Sequence, residues 1–391
     1  MKYNYRCSVC NASYDIDPAF TVCPGCSKHQ EKDQPLRGVL EVELHGSAGA
    51  DFAVWDLLPV ERQFFPSVPV GNTPLWHPEN LIKQTGFSRL YIKDDGSNPT
   101  SSFKDRASFL VSAFARKHGI NDIALASTGN AGSSMAGIGA AAGQSVTLFL
   151  PKTAPPAKLV QALQYGARVY RVDGSYDLAY DISLEYSRKN GGMNRNTAYN
   201  PMTIEGKKTV SLELFKQLGG LPDTVFVSCG DGCILAGLYK GFRDLVQLGI
   251  TSDMPKIVAV QARTSDALYR AWKTGRFTAV PTATIADSIC VDVPRNGIHA
   301  LSLIRQFNGE VITVSDDDII RAQSTLSRTT GLFTEPAGAA AFAGFLAAAS
   351  MLDPEGVTVV LTTGNGLKDS AAAARGIAIP ETLIQSVDDI F

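Results

Sequence analysis

The sequence predicts an α/β protein with mainly parallel sheets and helices on both faces, preceded by a small metal-binding ribbon. Three observations carry this. Short runs rich in Val, Ile and Leu alternate with helical stretches through most of the chain, which fits buried parallel strands. Several of these runs end in polar, glycine-bearing loops: "ASTGN", "VSCGDG" and "LTTGNG". In front of them lie two C-x2-C pairs.

The elements follow in chain order. Cys7, Cys10, Cys23 and Cys26 form C-x2-C-x12-C-x2-C, the spacing of a tetrahedral zinc site gripped by two knuckles. Pro24 and Gly25 favour a turn inside the second pair. Residues 1–30 bury little core alone, so metal would supply their folding energy. Four thiolates leave no open position, which makes the site structural. His29 follows the fourth cysteine but is not needed as a ligand. Residues 31–68 read as a linker and packing segment, and 69–391 as the main body.

Strands are expected at "RLYIKDD" (89–95), "DIALAST" (122–128), "SVTLFLP" (145–151) and "ARVYRVD" (167–173), with a helix "APPAKLVQALQYG" (154–166) between the last two. "TVFVSCGDG" (224–232), "KIVAVQA" (256–262) and "VTVVLTTGNG" (357–366) continue the plan. "SDDDI" (315–319) opens a helix with acidic residues at its positive end. "AGAAAFAGFLAAASML" (337–352) reads as a buried Ala-rich helix.

Composition bounds the function. A chain of 391 residues, 45% hydrophobic, suits two or three domains with a large core. A formal net charge of −2 gives no support for a nucleic-acid partner. No apolar stretch is long enough for a membrane span, and "MKYNYRCSVC" lacks the apolar region of a signal peptide. A cytoplasmic enzyme is expected.

Four segments carry chemistry. "SCGDGCILAGLYKGF" (228–242) joins a strand to a helix, as a backbone phosphate cradle or as a mere tight connection. "ASTGNAGSS" (126–134) starts another helix, where Ser127, Thr128, Gly129 and Asn130 suit a substrate carboxylate or an ordinary N-cap. In "NPTSSFKDR" (98–106), Lys104 sits where a turn meets an apolar helix. A lysine in a partly desolvated pocket has a depressed pKa and forms Schiff bases. These are the parts that pyridoxal phosphate and an amino-acid substrate need. Thr363 completes the set if its hydroxyl faces the pyridine nitrogen. It would leave that nitrogen largely unprotonated and favour chemistry at the β and γ carbons. Glu335 in "EPAGAA" either lines the pocket or caps a helix begun by Pro336.

From about residue 69 to 376 the chain resembles the threonine synthase group of the fold type II, tryptophan-synthase-β-like pyridoxal phosphate enzymes. The resemblance rests on "GNTPL" (71–75), "KDDGSNPTSSFKDR" (93–106), "ASTGN" (126–130), "NPMTIEGKKT" (200–209), "GDGCILAGLYKGF" (230–242), "EPAGAA" (335–340) and "TGNGLKD" (363–369), in that order. An N-terminal zinc ribbon is similar to those of some archaeal and bacterial members. The resemblance implies two open, mainly parallel-sheet domains, the smaller one about 95–200, and a homodimer. It implies that Lys104 is the Schiff-base lysine, with Phe103 packed beside it. Asn130 would bond the cofactor 3′-oxygen, and Gly230, Asp231, Gly232, Cys233 and Ile234 would wrap its phosphate. Thr363 would face the pyridine nitrogen, while Ser127, Thr128, Gly129 and Asn130 would hold the substrate carboxylate.

The chain departs from the family pattern at three places. Asp231 stands in the phosphate loop. Ser101 replaces a usual glycine. Thr203 stands where threonine synthases commonly have an arginine for the substrate phosphate, with Lys207, Lys208, Arg195 and Lys93 as substitutes. The expected reaction converts O-phospho-L-homoserine and water to L-threonine and phosphate. The alternatives are β-elimination from serine or threonine, β-replacement as in cysteate synthases, and a non-catalytic cofactor-binding protein.

Overall fold

The computed structural model describes every residue except 153, 155–158, 379, 382, 387, 388, 390 and 391. The chain opens with β1 (Lys2–Cys7), β2 (Ser13–Tyr14) and β3 (Leu40–His45), an antiparallel sheet in the order β2-β1-β3. The register runs from Lys2↔His45 to Cys7↔Leu40. Thus the segment 31–68, expected as linker and packing, supplies a full strand to the sheet that carries Cys7. Its glutamates disguised it: Glu41 is buried and paired with Arg243 at 2.8 Å and His299 at 3.1 Å.

A second sheet starts with β4 (Leu75–Trp76) and β5 (Leu90–Asp94). The chain then leaves it to build β6 (Asp122–Ala126), β7 (Ser145–Pro151), β8 (Arg168–Val172) and β9 (Met193–Asn194), a parallel sheet ordered β8-β7-β6-β9. It returns with β10 (Thr224–Ser228), β11 (Lys256–Ala262), β12 (Glu310–Val314) and β13 (Thr358–Thr362). The large sheet reads β12-β11-β10-β13-β5-β4, parallel except for the last pair. All seven expected strands are present; beyond the ribbon sheet β1–β3, β12 and the two-residue β4 and β9 are additional. Of the helix expected over 154–166, residues 155–158 lie outside the described residues, and Val160–Gln164 is helical.

β10, β11 and β13 are apolar on both faces and buried throughout their central residues, as strands covered by two helix layers must be. The Ala-rich helix Pro336–Ala348 packs on β10, β11 and β13 and is buried along nearly its whole length. Its small side chains let the backbone approach the sheet, while Phe342 and Phe345 fill the core; each buried ring contributes roughly 1.5–3 kcal/mol. Helix Asp316–Thr330 begins as expected at Ser315, whose hydroxyl accepts the Asp318 N–H at 3.1 Å while Asp318 accepts the Ser315 N–H at 3.0 Å. Among the described residues no helix is long and apolar enough to cross a membrane.

This topology positions the site. β10, β13 and β5 are neighbours in the large sheet, and the loops leaving their carboxyl ends hold Gly230–Ile234, Thr363 and Lys104. The loop after β6 in the smaller sheet brings Ser127–Asn130. Ligands of open α/β sheets bind at such ends.

Candidate active site and cysteine cluster

Lys104 is the first residue of helix Lys104–Lys117. Its flanking residues fix the turn before it. The Asp105 carboxylate accepts the Thr100 N–H at 2.7 Å and also the Thr100 hydroxyl. The next side chain, Arg106, bonds Asp95 at 2.5 Å and Glu213 at 2.6 Å, anchoring the helix from behind. Phe103 is fully buried, and its N–H donates to the Thr363 carbonyl at 2.8 Å; Asn365 N–H donates to Ser101 at 3.0 Å. These bonds lash the Lys104 turn to the loop after β13. Ser101 takes φ 67°, a left-handed conformation that explains why a glycine is usual there.

Lys104 lines a cavity of about 750 Å³ between the two sheets. Burial lowers its pKa, and Arg195 adds to the effect against Glu335 and Asp231. The same cavity is lined by Ser127, Thr128, Gly129 and Asn130, and by Gly230, Asp231, Gly232, Cys233 and Ile234. Phe103 and Thr363 are buried just behind Lys104 and are not among the lining residues.

The glycine loop is built for close approach. Gly232, at φ 83°, caps the 15-residue helix Cys233–Gln247. A Cβ there would lie 2.7 Å from that of Ala300, and one on Gly230 would lie 2.9 Å from Ile289 Cα. Both glycines are thus required by packing against neighbouring protein, and the loop they build lines the cavity at a helix N-terminus, a fit for a phosphate. Asp231 does not spoil it: its carboxylate turns to accept the Arg295 N–H at 3.0 Å, and burial raises its pKa. Burial likewise pushes the Cys233 thiol up.

At the other loop, Ser127 Oγ accepts the Gly132 N–H at 2.9 Å, so this hydroxyl ties down the first turn of helix Asn130–Ala142. Asn130 Nδ2 donates to both Glu335 oxygens, at 2.9 and 3.0 Å. Glu335 precedes Pro336 at the helix start but makes no capping bond; its carboxylate holds Asn130 from a neighbouring cavity rather than lining that of Lys104, and burial raises its pKa.

The substitutes for a Thr203 arginine divide sharply. Lys93 is bound to Glu213 at 2.9 Å, and Lys208 to Asp244 at 2.8 Å and to Glu205. Arg195 and Lys207 instead line the cavity. Three further features were not anticipated: Arg295 beside Asp231, Tyr176 in the wall, and residues 30–34 with Leu36 at the mouth. No local motif marks them.

In the ribbon, all four thiol sulfurs lie within 4.8 Å of one another. Cys7 and Cys26 are 3.8 Å apart, and Cys10 and Cys23 3.7 Å. Tetrahedral Zn–S bonds of about 2.3 Å give S–S edges of about 3.8 Å, so the donor set fits such an ion. His29 is not part of the cluster.

A family-level sequence profile described as "Pyridoxal-phosphate dependent enzyme" matches residues 67–364. The chain belongs to this family. It is also 33% identical to a threonine synthase of Methanosarcina acetivorans, across 99% of this chain and 98% of the relative. It is 34% identical to one of Mycobacterium tuberculosis, across 84% and 90%. Among solved structures, threonine deaminase isoform 2 of Solanum lycopersicum superposes with a TM-score of 0.70 at 21% identity, across 85% of this chain and 96% of that one. Diaminopropionate ammonia lyase of Escherichia coli gives 0.68 at 18%, across 83% and 95%. The fold is that of the fold type II enzymes. The protein is thus a pyridoxal-phosphate-dependent lyase similar to threonine synthases.

Proposed function

We propose that this enzyme makes L-threonine and phosphate from O-phospho-L-homoserine and water. The observation that carries the reading is the meeting, in one cavity, of a lysine with depressed pKa, a glycine loop suited to a phosphate, a donor loop suited to a carboxylate, and two cations with no carboxylate partner among the described residues. The similarity to threonine synthases supports it.

In this reading the Gly230–Ile234 backbone would hold the cofactor phosphate, Asn130 would bond the ring 3′-oxygen, Thr363 would serve the pyridine nitrogen from behind the cavity wall, and Phe103 would pack beside Lys104. Pyridoxal phosphate bound there supplies an electron sink for carbanion chemistry on an amino acid. Ser127, Thr128, Gly129 and Asn130 hold the substrate carboxylate. Lys104, free as an amine once substrate has bound, takes the α-proton and then moves protons at Cβ and Cγ; a lowered pKa suits that work. The Cγ–O bond breaks and phosphate leaves with the electron pair. The hydroxyl of water joins Cβ, and Cγ ends as a methyl group.

Cys7, Cys10, Cys23 and Cys26 hold a structural Zn²⁺. Elemental analysis is expected to find about one zinc per chain, lost in Cys23→Ser. The same reading makes the enzyme a cytoplasmic homodimer. The deciding assay offers O-phosphohomoserine, O-phosphoserine, serine and threonine in turn. Threonine and phosphate in equal amounts from the first is the expected result. No reaction with it, but pyruvate or 2-oxobutyrate from the others, overturns the proposal.

A further inference from the structure

The cysteine cluster and the glycine loop share no residue, yet contacts join them by two routes. Both routes leave the ribbon beside its cysteines. Cys7 pairs with Leu40, the first residue of β3, and Cys23 N–H donates to the Gly38 carbonyl at 2.8 Å. No side chain fits at Gly38: a Cβ there would lie 2.8 Å from that of Cys26 and 2.9 Å from that of Cys23. The stretch from Cys26 to Leu36 is braced by Gln30, whose amide donates to the Gln34 and Pro35 carbonyls at 3.2 Å each and accepts the Arg37 N–H at 2.8 Å.

The first route runs through backbone. Leu36 N–H donates to the Arg295 carbonyl at 2.9 Å, and Arg295 N–H donates to the Asp231 carboxylate at 3.0 Å. The second starts at Glu41, next to Leu40. One of its oxygens lies 3.1 Å from His299 Nε2; the other accepts from Arg243, on the helix that the glycine loop opens. His299 Nδ1 lies 3.3 Å from Asn296 Oδ1. Asn296 donates its side-chain amide to the Gly232 carbonyl at 3.1 Å and its backbone N–H to the Asp231 carbonyl at 3.0 Å. Glu41, His299 and Asn296 are all buried, and hydrogen bonds shielded from water are stronger for it.

We infer that the ribbon is a positioning element of the active site: with metal on its four cysteines it holds Leu36 and Glu41, and through them fixes the Asp231–Gly232 backbone that receives the cofactor phosphate. A backbone anion seat works when its N–H groups stand in place before the ligand arrives. Binding free energy at a structural zinc site is folding free energy, so the metal decides how firmly both routes are anchored. Zinc and pyridoxal phosphate therefore each strengthen the binding of the other. This rests on the seats proposed above for both, and on neither the substrate nor the reaction.

The test titrates the full chain, freed of cofactor, with pyridoxal phosphate and with pyridoxal, which lacks the phosphate. Absorption of the lysine-bound ring is followed with and without zinc. Removing zinc is expected to weaken pyridoxal phosphate on the order of tenfold, and pyridoxal by far less. Reciprocally, pyridoxal phosphate should tighten zinc by the same factor, read by competition with a chromophoric chelator. His299→Leu cuts the second route and keeps all four cysteines. It should still hold about one zinc, but respond to zinc removal by only about threefold. His299→Gln, which can still bridge Glu41 and Asn296, should recover most of the response. If His299→Leu folds poorly, the comparison of the two cofactors on the unaltered protein still decides. An equal fall for pyridoxal and pyridoxal phosphate overturns the inference, because it reports a general loosening. So does a zinc response of full size in His299→Leu. Zinc that binds while cofactor affinity ignores it sinks the inference and leaves the zinc site standing. A protein that binds no zinc sinks both. Threonine formation from O-phosphohomoserine enters none of these readings.

Discussion

Buried charge takes two forms on either side of the Lys104 helix. Behind it, Arg106 grips Asp95 and Glu213, and Lys93 shares Glu213; nearby, Lys208 and Lys240 share Asp244. On the cavity side, Lys104, Arg195 and Lys207 form no ion pair with any described residue. The closed networks hold backbone in place. The open set is ready for ligands that bring negative charge and, at Lys104, for proton transfer. Adjacent residues fall on opposite sides: Arg106 is two positions from Lys104, and Lys208 is one from Lys207. Completion of the ion pair, rather than burial, separates scaffold from site.

The largest effect is expected at Lys104. Lys104→Ala should lose activity by about 10⁴-fold or more, since the proposed nucleophile and base go together. The visible absorption of lysine-bound cofactor should vanish with it. Thermal stability should hold, because no ion pair is broken. A variant that melts early instead would move Lys104 to the scaffold side.

Glu213 is the matching break on the other side. Glu213→Ala leaves Lys93 and Arg106 buried with fewer partners, and should cost about 3–5 kcal/mol in urea unfolding. The same carboxylate predicts a pH dependence. Burial opposes its ionisation, but Arg106 and then Lys93 hold its pKa down to about 2. An unfolded glutamate titrates near about 4.3. The unfolded chain therefore takes up the proton first as pH falls. The stabilisation is complete above about pH 5 and drains away through about pH 2, about 3 kcal/mol in all. Unfolding midpoints at pH 5 and pH 3 measure it, and Glu213→Gln should flatten the slope.

Lys207 should contribute a penalty where Glu213 contributes a gain, with the same direction of pH slope in a higher window. Burial lowers its pKa to about 7, with Arg195 and Lys104 adding to the effect against Cys233 and Asp231. An unfolded lysine keeps its proton to about pH 10.4. Between those values the unfolded chain binds more protons, so stability rises with pH. Lys207→Met should remove that slope and stabilise the cofactor-free protein at pH 7 by about 1–3 kcal/mol. A destabilised Lys207→Met would show that its contact with Thr203 is structural.

These contrasts also mark what a sequence can display. The strands β10, β11 and β13 were legible because each is a continuous Val- and Ile-rich run buried on both faces. β12, "EVITV", is an edge strand with half-buried residues, and β9 is only two residues long, so neither announces itself. The loops at Ser127–Asn130 and Gly230–Ile234 were legible because glycine between strand and helix is a local signal; the structure brings both to one cavity with Lys104. The state of "KK" at 207–208 was not. Whether a buried lysine meets a carboxylate depends on Asp244, 36 positions away. The role of residues 30–34 at the cavity mouth is hidden for the same reason, since their neighbours there come from distant elements.

The smallest effect lies at Ser101, where scaffold and site meet. Its φ of 67° puts an L-residue in the left-handed region, a cost of roughly 1–2 kcal/mol that glycine avoids. Glycine gives part of this back through its larger unfolded-state entropy. Ser101→Gly should therefore stabilise the protein by no more than about 1 kcal/mol, read as a small rise in the urea midpoint. The backbone bonds that hold the turn, Ser101 N–H to Asn98 at 2.7 Å and Asn365 N–H to Ser101 at 3.0 Å, survive the change. Activity then separates two meanings of the strain. If the turn only supports Lys104, kcat is unchanged. A fall in kcat alongside the gain in stability would mean that the strained serine sets the angle at which Lys104 enters the cavity, and that this turn belongs with the open charges rather than the closed ones.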